Sequence, residues 1–216
     1  MNIFEQVDPL IDYSNIQLII FDVDGTLYDQ RKLRIYMLLN FIIYIIKNPK
    51  KLYELKLIYY YRKLFEEYDN ILKNEDTSDG IDIVLYKRVA EKFDLDIKVV
   101  KEIVYKWIYT IPLKYVKKFK KKGINDLFNK IRENNITIAI YSDYLSEEKL
   151  KTLGLSADMI VASIDKEIHE LKPNPKGLLY IINYFGVNLN RCLLIGDRDD
   201  RDGECARNAN ISFIKV

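Results

Sequence analysis

LIIFDVDGTLY, residues 18–28, decides how the rest of this chain is read, because an apolar run breaks there into two carboxylates and a glycine. Leu18, Ile19, Ile20 and Phe21 form a short continuous apolar run, the pattern of a strand buried on both faces in a parallel sheet. Such a strand delivers Asp22 at its carboxyl end, and open parallel sheets bind ligands in the crevice beyond those ends. Asp24 lies two residues on, and the side-chain period of extended backbone aims it the same way as Asp22, with Val23 turned back into protein. Gly25 then lets the chain turn sharply. A buried strand followed by an Asp-Gly turn is ordinary architecture on its own. Two neighbouring acids nevertheless repel, which a cation between them relieves, and Mg2+ takes one or two carboxylates together with substrate phosphate oxygens. A metal site at Asp22 and Asp24 is the economical reading.

Composition bounds the alternatives. At 216 residues and 49% hydrophobic content the chain can bury a substantial core. Its 34 basic and 32 acidic residues leave a net charge of +2, which gives no global electrostatic argument for nucleic acid or an anionic membrane. Cys192 and Cys205 lack CxxC spacing or a third ligand and read as reduced thiols. The opening MNIFEQVDPLIDY carries acids where a secretion signal would have a basic start and an apolar core, so a cytoplasmic location is expected. The longest apolar block, residues 35–46, is interrupted only by Asn40; it falls short of the roughly 20 residues that span a bilayer and is read as a buried helix. No membrane partner is expected. The absence of GxGxxG and GxxxxGK strings argues against a dinucleotide fold or a Walker-type site.

From Leu33 to Tyr109 the pattern is helical, broken at Asn48 and Pro49 and again at NEDTSDG, residues 74–80. Helices are expected over 33–47, 50–72, 81–93 and 97–110, with Asp96 capping the last and Pro112 closing the block. Beyond it strands alternate with helices, the signature of a parallel α/β sheet: a helix at 125–134, then strands at 137–141, 159–162, 192–195 and 211–214. The expected organisation is a core of residues 1–29 and 113–216 with a helical domain, 30–112, inserted after the first strand. An insertion leaving the chain beside the crevice is placed to act as a lid.

Other motifs converge on the same crevice. Ser142 and Asp143 follow the apolar run ITIAIY, so a hydroxyl also arrives at a strand end, where Ser is equally at home as a turn residue or helix cap. Lys172 lies in HELKPNPKG, where Pro173 and Pro175 stiffen the loop and start a helix near Lys176; a fixed ammonium there suits a phosphoryl dianion, although most lysines are solvated surface charges. CLLIGDRDDRD, residues 192–202, is the second apolar strand to end in clustered acids. Asp197 holds the position equivalent to Asp22, and a divalent metal shared between the two strand ends would relieve both clusters. Asp199 and Asp200 are ambiguous, one of them able to cap a helix near Gly203, while Asp202 has the spacing to support the metal from behind its ligands.

In this order and spacing the chain, from about residue 16 to its end, resembles the haloacid dehalogenase superfamily: DVDGTL as its first motif, Ser142 as the second, Lys172 as the third and GDRDDRD as the fourth. The resemblance implies a Rossmann-like α/β core and reads the insertion as a C1-type helical cap. It implies phosphoryl transfer from a small phosphorylated metabolite through an aspartyl phosphate, with Asp22 as nucleophile and Asp24 as proton carrier. Mg2+ would be held by Asp22, Asp197 and the backbone carbonyl of Asp24, with Asp202 favoured over Asp200 as the second motif-four carboxylate. Substrate contacts would come from Thr26, which also braces the turn, Ser142, Asp143 and Lys172, and from Arg31, beside Lys32 and Arg34 on the link to the cap. Members acting on carbon–halogen bonds lack an acid at the position of Asp24, which argues against dehalogenation. A phosphomutase shares the core motifs and stays open as an alternative, and a monomer or homodimer is expected. A reading of another class is a nucleic-acid module using Lys114, Lys117, Lys118, Lys120, Lys121 and Lys122 interleaved with Tyr115 and Phe119. An amphipathic helix with Tyr115, Val116 and Phe119 on one face explains the same stretch and is preferred, so no nucleic acid is expected. The cap is also rich in tyrosine, with 12 of 17 between residues 28 and 115, a weak pointer to a stacked nucleobase.

Overall fold

A computed structural model describes residues 2–68 and 80–216. Each expected apolar run forms a strand: β1 (Leu18–Phe21), β2 (Thr137–Ser142), β3 (Met159–Ala162), β4 (Cys192–Gly196) and β5 (Ser212–Lys215). They make one sheet of order β3-β2-β1-β4-β5, with every pairing parallel. The helices that follow strand-like runs in sequence cover such a sheet, which is why β1 can be apolar at every position and fully buried. This is the expected Rossmann-like α/β fold. The order reverses between β1 and β4, and that reversal opens the ligand crevice of such sheets.

The helices preceding β2 are α1 (Ile3–Val7), α2 (Gln30–Lys47), α3 (Tyr53–Glu66), α4 (Ile81–Phe93), α5 (Ile97–Val104), α6 (Ile111–Val116) and α7 (Ile124–Glu133). After β2 come α8 (Glu147–Leu153), α9 (Lys176–Phe185) and α10 (Glu204–Ala209). The chain divides into two compact units, Met1–Gln30 with Val116–Val216, and Arg31–Tyr115. In the sheet-containing unit, Leu18, Ile20, Ala139, Leu178, Ile181 and Leu194 belong to one buried apolar cluster, and Phe21 meets Phe128 of α7 with ring centroids 4.8 Å apart. Both cysteines are buried and free.

The helical unit is built on apolar residues at helical spacing. Leu57, Tyr61, Leu64 and Phe65 of α3 are buried, as are Ile81, Val84, Leu85 and Val89 of α4 and Val100, Ile103 and Val104 of α5. Asp96 caps α5 as expected, accepting from the Lys98 backbone N–H at 2.7 Å. A wide π-type turn, Tyr105–Thr110, follows α5 and carries Lys106 and Trp107 to Glu54. Glu54 is buried: it accepts from Trp107 Nε1 at 2.7 Å, Lys106 Nζ at 3.0 Å and the Tyr44 hydroxyl at 3.2 Å. Lys106 also lies 4.0 Å from the Tyr44 ring centroid.

Several expectations need correction. Residues 35–46 are helical but not buried. On α2 only Leu33 and Phe41 are buried, while Ile35, Leu38, Leu39, Ile42, Ile43 and Ile46 are exposed, because an apolar surface running round a helix can bury only one side against its own bundle. Pro112 does not close the helical block: helical backbone runs without a break from α5 through the π-type turn into α6, with Pro112 inside that run, and the compact helical unit ends at Tyr115. The helix expected over 50–72 is α3, beginning after a short 3-10 turn at Pro49–Lys51; its residues 69–72, and 74–79 of the second break, lie outside the described residues. The stretch 114–122 is not one amphipathic helix. It passes from α6 into a 3-10 turn, Lys117–Phe119, and Lys120 turns inward to donate to Asn125 Oδ1 at 2.6 Å. No helix among the described residues is long and apolar enough to cross a membrane.

Candidate active site

Sheet register assembles the site. Phe21 pairs with Ile195 and Ile140, so β1, β4 and β2 end near one level, and the Asp22 N–H donates to Ile195 O at 2.9 Å. Asp22 therefore leaves β1 beside Gly196, with Asp197 one residue beyond on β4. Gly25 adopts φ +104°, and a Cβ built on it would lie 2.1 Å from Asp197 Oδ2. The turn after Asp24 thus needs glycine twice over, for its left-handed backbone and for the closeness of Asp197. Gly196 plays the matching part on β4, where a Cβ would lie 2.5 Å from the Asp202 carboxylate.

Asp22, Asp197 and Asp202 each offer a carboxylate oxygen, and the three oxygens lie within 4.8 Å of one another. Lys172, brought in by its proline-bound loop, stands among them: Nζ is 2.8 Å from Asp22 and 2.7 Å from Asp202, and the residue is only 1% exposed. Burial opposes the ammonium, but Asp202 and then Asp22 and Asp143 outweigh it and hold Lys172 above the usual lysine range. The acids respond in the opposite sense. Burial, partly offset by Lys172 and reinforced by Asp202, pushes Asp22 up to about 8; burial and Asp202 push Asp197 up to about 6. Both directions express one fact, that carboxylates outnumber ammoniums in a poorly solvated place. A divalent cation bound by this oxygen set would balance the excess, so the donor chemistry fits Mg2+.

The remaining expected residues separate into distinct jobs. Thr26 is fully buried and its hydroxyl donates to Asp22 Oδ2 at 3.0 Å, so it orients Asp22, the bracing role, and its hydroxyl is not turned out to a substrate. Ser142 ends β2, 1% exposed, with its oxygen accepting from the Tyr144 N–H at 3.3 Å. Asp143 secures the Lys172 loop: Oδ1 accepts from Ser163 Oγ at 2.7 Å and from the Lys172 backbone N–H at 3.1 Å. Asp200 is exposed and paired with Arg198 at 2.6 Å, and Asp199 with Arg207 at 3.1 Å, leaving Asp202 as the buried second acid of its motif. Arg31 is exposed at the start of α2.

Asp22 and Asp24, expected to face the same way, have separate partners. Asp24 forms a backbone bridge with Tyr28 across the turn at residues 25–27, and its carboxylate is held by the Tyr28 hydroxyl and by Lys149 Nζ, 2.6 Å from Oδ1 and 2.8 Å from Oδ2. Neither Lys149 nor Lys121 was legible as a site residue. Lys121 is half-buried, pulled down by burial and pushed back by Asp197, Asp29 and Asp22.

The sequence model of the haloacid dehalogenase-like hydrolase family matches residues 19–216. The chain belongs to the haloacid dehalogenase superfamily. It is a hydrolase of that family, with the helical unit inserted between β1 and β2. Among solved structures it is similar in fold to a 2-haloacid dehalogenase from Pseudomonas syringae pv. Tomato DC3000, with 15% identity, 93% of this chain and 86% of that chain covered, and a TM-score of 0.65. It is similar to the HAD-hydrolase YfnB from Bacillus subtilis bound to magnesium, with 15% identity, coverage of 94% and 89%, and a TM-score of 0.59. The β-phosphoglucomutase of Clostridium difficile matches at 19% identity, with coverage of 93% and 84% and a TM-score of 0.59. No curated protein matches the chain.

Proposed function

We propose that this chain is a Mg2+-dependent phosphatase of small phosphate monoesters. The observation that carries the reading is the setting of Asp22: a buried carboxylate aligned by Thr26 at 3.0 Å and Lys172 at 2.8 Å, beside Asp197 and Asp202, with a second carboxylate, Asp24, two residues away on partners of its own. A carboxylate becomes an effective nucleophile when it is oriented on an electrophile and the charge it meets is neutralised. Asp22 attacks phosphorus, a P–O bond to Asp22 forms as the ester P–O bond breaks, and Asp24, entering this step in its protonated form, gives its proton to the departing alkoxide and is left as the carboxylate. Water then attacks the same phosphorus and loses its proton to Asp24. The Asp22–phosphorus bond breaks and inorganic phosphate leaves. Lys172 and Ser142 supply positive charge and a hydroxyl at strand ends where phosphoryl oxygens would lie. Asp22 and Asp197, supported by Asp202, would hold Mg2+, which would supply further neutralisation of phosphoryl charge.

Asp24 separates this reading from dehalogenation, in which no alkoxide needs a proton. The phosphomutase reading uses the same residues and differs in where the phosphoryl group goes. A panel of sugar phosphates, nucleoside monophosphates, phosphoglycolate and a 2-haloacid, assayed with Mg2+, tests all three. Phosphate release is expected; an isomerised sugar phosphate without net phosphate would make the chain a mutase, and halide release would overturn the reading.

A further inference from the structure

Lys149 sits in the first turn of α8, a helix that also opens on Glu147 and Glu148. A cation there works against the helix dipole, so the helix itself gains nothing from it. Nor is it a solvated surface charge, since the residue is 8% exposed, against the habit of lysine. Its ammonium instead spans both oxygens of Asp24, at 2.6 and 2.8 Å, across 125 residues of sequence. Tyr28, 3% exposed and tied by backbone bridges to Asp24 and Lys120, adds its hydroxyl to Oδ1. Two donors, one from α8 and one from the far side of the turn that Asp24 leads into, therefore fix the direction of its carboxylate.

An acid/base carboxylate needs a fixed direction, because proton transfer needs its oxygen within hydrogen-bond reach of the leaving atom. We propose that Lys149 is the positioning residue of Asp24: together with Tyr28 it sets the direction of the Asp24 carboxylate and thereby its alignment with the leaving oxygen. The inference rests on the acid/base reading of Asp24 and adds to it a residue outside the four family motifs. Lys149 acts through Asp24, so its loss affects the step in which a proton is delivered and leaves substrate affinity nearly untouched.

The experiment compares Lys149→Met, Lys149→Arg, Tyr28→Phe and Asp24→Asn on two esters, 4-nitrophenyl phosphate, whose leaving group needs no proton, and phenyl phosphate, whose leaving group does. Asp24→Asn should lose about 100-fold more on the poor leaving group than on the good one, and Lys149→Met about 10-fold more, both in kcat with KM changed by less than about twofold. Lys149→Arg, which keeps a charge for Asp24, should recover most of the loss, and Tyr28→Phe should show the same signature more weakly. If Asp24→Asn discriminates between the esters while folded Lys149→Met loses the same factor on both, the inference falls and the acid/base reading survives. A raised KM with kcat unchanged makes Lys149 a substrate contact and also overturns it. If Asp24→Asn does not discriminate, the acid/base reading falls and takes the inference with it. Should Lys149→Met not fold, Lys149→Arg and Tyr28→Phe decide: loss of the same factor on both esters in each refutes the inference.

Discussion

Among the described residues each of the two units has a buried charged cluster, and these two clusters are built alike up to a point. In the helical unit Glu54 meets Lys106, Trp107 and Tyr44; in the sheet unit Lys172 meets Asp22 and Asp202. The difference is in the charge balance. Around Glu54, one carboxylate faces the ammoniums of Lys106 at 3.0 Å and Lys51 at 3.7 Å and two neutral donors, so its charge is matched within the protein and the cluster ties α2, α3 and the π-type turn together. Around Lys172, the three carboxylates outnumber their cations, Lys172 and, acting on Asp197, Lys121, and the surplus shows as acids pushed up to about 8 and about 6. A balanced buried pair holds a fold in one arrangement, whereas an unbalanced one stores a demand for an external cation.

The sharpest way to break this comparison is to remove one charge from each cluster. Asp22→Asn should abolish turnover, on the order of 10⁴-fold or more, while leaving the melting temperature unchanged or raised, because it removes surplus charge together with the nucleophile. Near wild-type phosphate release from the folded variant would show that the surplus has another purpose. Glu54→Gln should behave in reverse. It leaves Lys106 without its counter-charge and should cost about 2 kcal/mol in denaturant unfolding, less than a fully enclosed pair because the Lys106 side chain is 35% exposed, with aryl phosphate turnover retained where the chain is folded.

Protons should compete with metal only in the unbalanced cluster. Asp197 must lose its proton near pH 6 and Asp22 near pH 8, so Mg2+ affinity measured by calorimetry should rise with pH, by up to about tenfold per unit between these values. The sign for metal-free stability is opposite. A carboxyl raised in the folded state binds its proton where the unfolded chain has already lost it, so stability is fully present below pH 3.8 and falls as pH rises through about 6 for Asp197. Added Mg2+ should flatten that fall, and a metal-independent pH profile would refute the assignment of the surplus. The smallest effect should come from outside both clusters: replacing Ile42 or Ile46 of α2 with Gln should change stability by less than about 0.5 kcal/mol, since both are already exposed.

The sheet unit was far more legible than the helical one, for a physical reason. A strand buried on both faces must be apolar throughout and must stop where a carboxylate begins, so Leu18–Phe21 with Asp22, and Cys192–Gly196 with Asp197, announce both the strand and its functional end. Gly25 and Gly196 mark close approaches of the same kind. The helical unit gives no such stop signals, and its apolar residues were read as buried wherever they clustered, which misplaced Ile35, Leu38 and Leu39. Pro112 reads as a terminator, whereas the chain stays helical through it, with a π-type turn just before it. Lys149 was hidden for a different reason: within SEEKLKTL it fits the polar side of a short helix, and only the tertiary fold brings it to Asp24. Thr26 and Asp143 carried the right chemistry, but a hydroxyl or carboxylate near a site does not declare whether it faces a ligand or steadies a neighbour.

The central position of β1 has a consequence for how the chain is made. Leu18 pairs with Thr137 on one side and Cys192 on the other, so the strand that emerges first has its second neighbour synthesised about 170 residues later. At roughly 5–20 residues per second that is a wait on the order of 10–30 s, during which an apolar strand has no completed sheet to enter. The local contacts of the helical insertion can form within that interval, whereas the sheet, and with it the meeting of Asp22 and Asp197, must await β4. The nascent chain thus acquires its helical unit before its catalytic one, and the exposed LIIF segment is the part that most needs shelter at the ribosome.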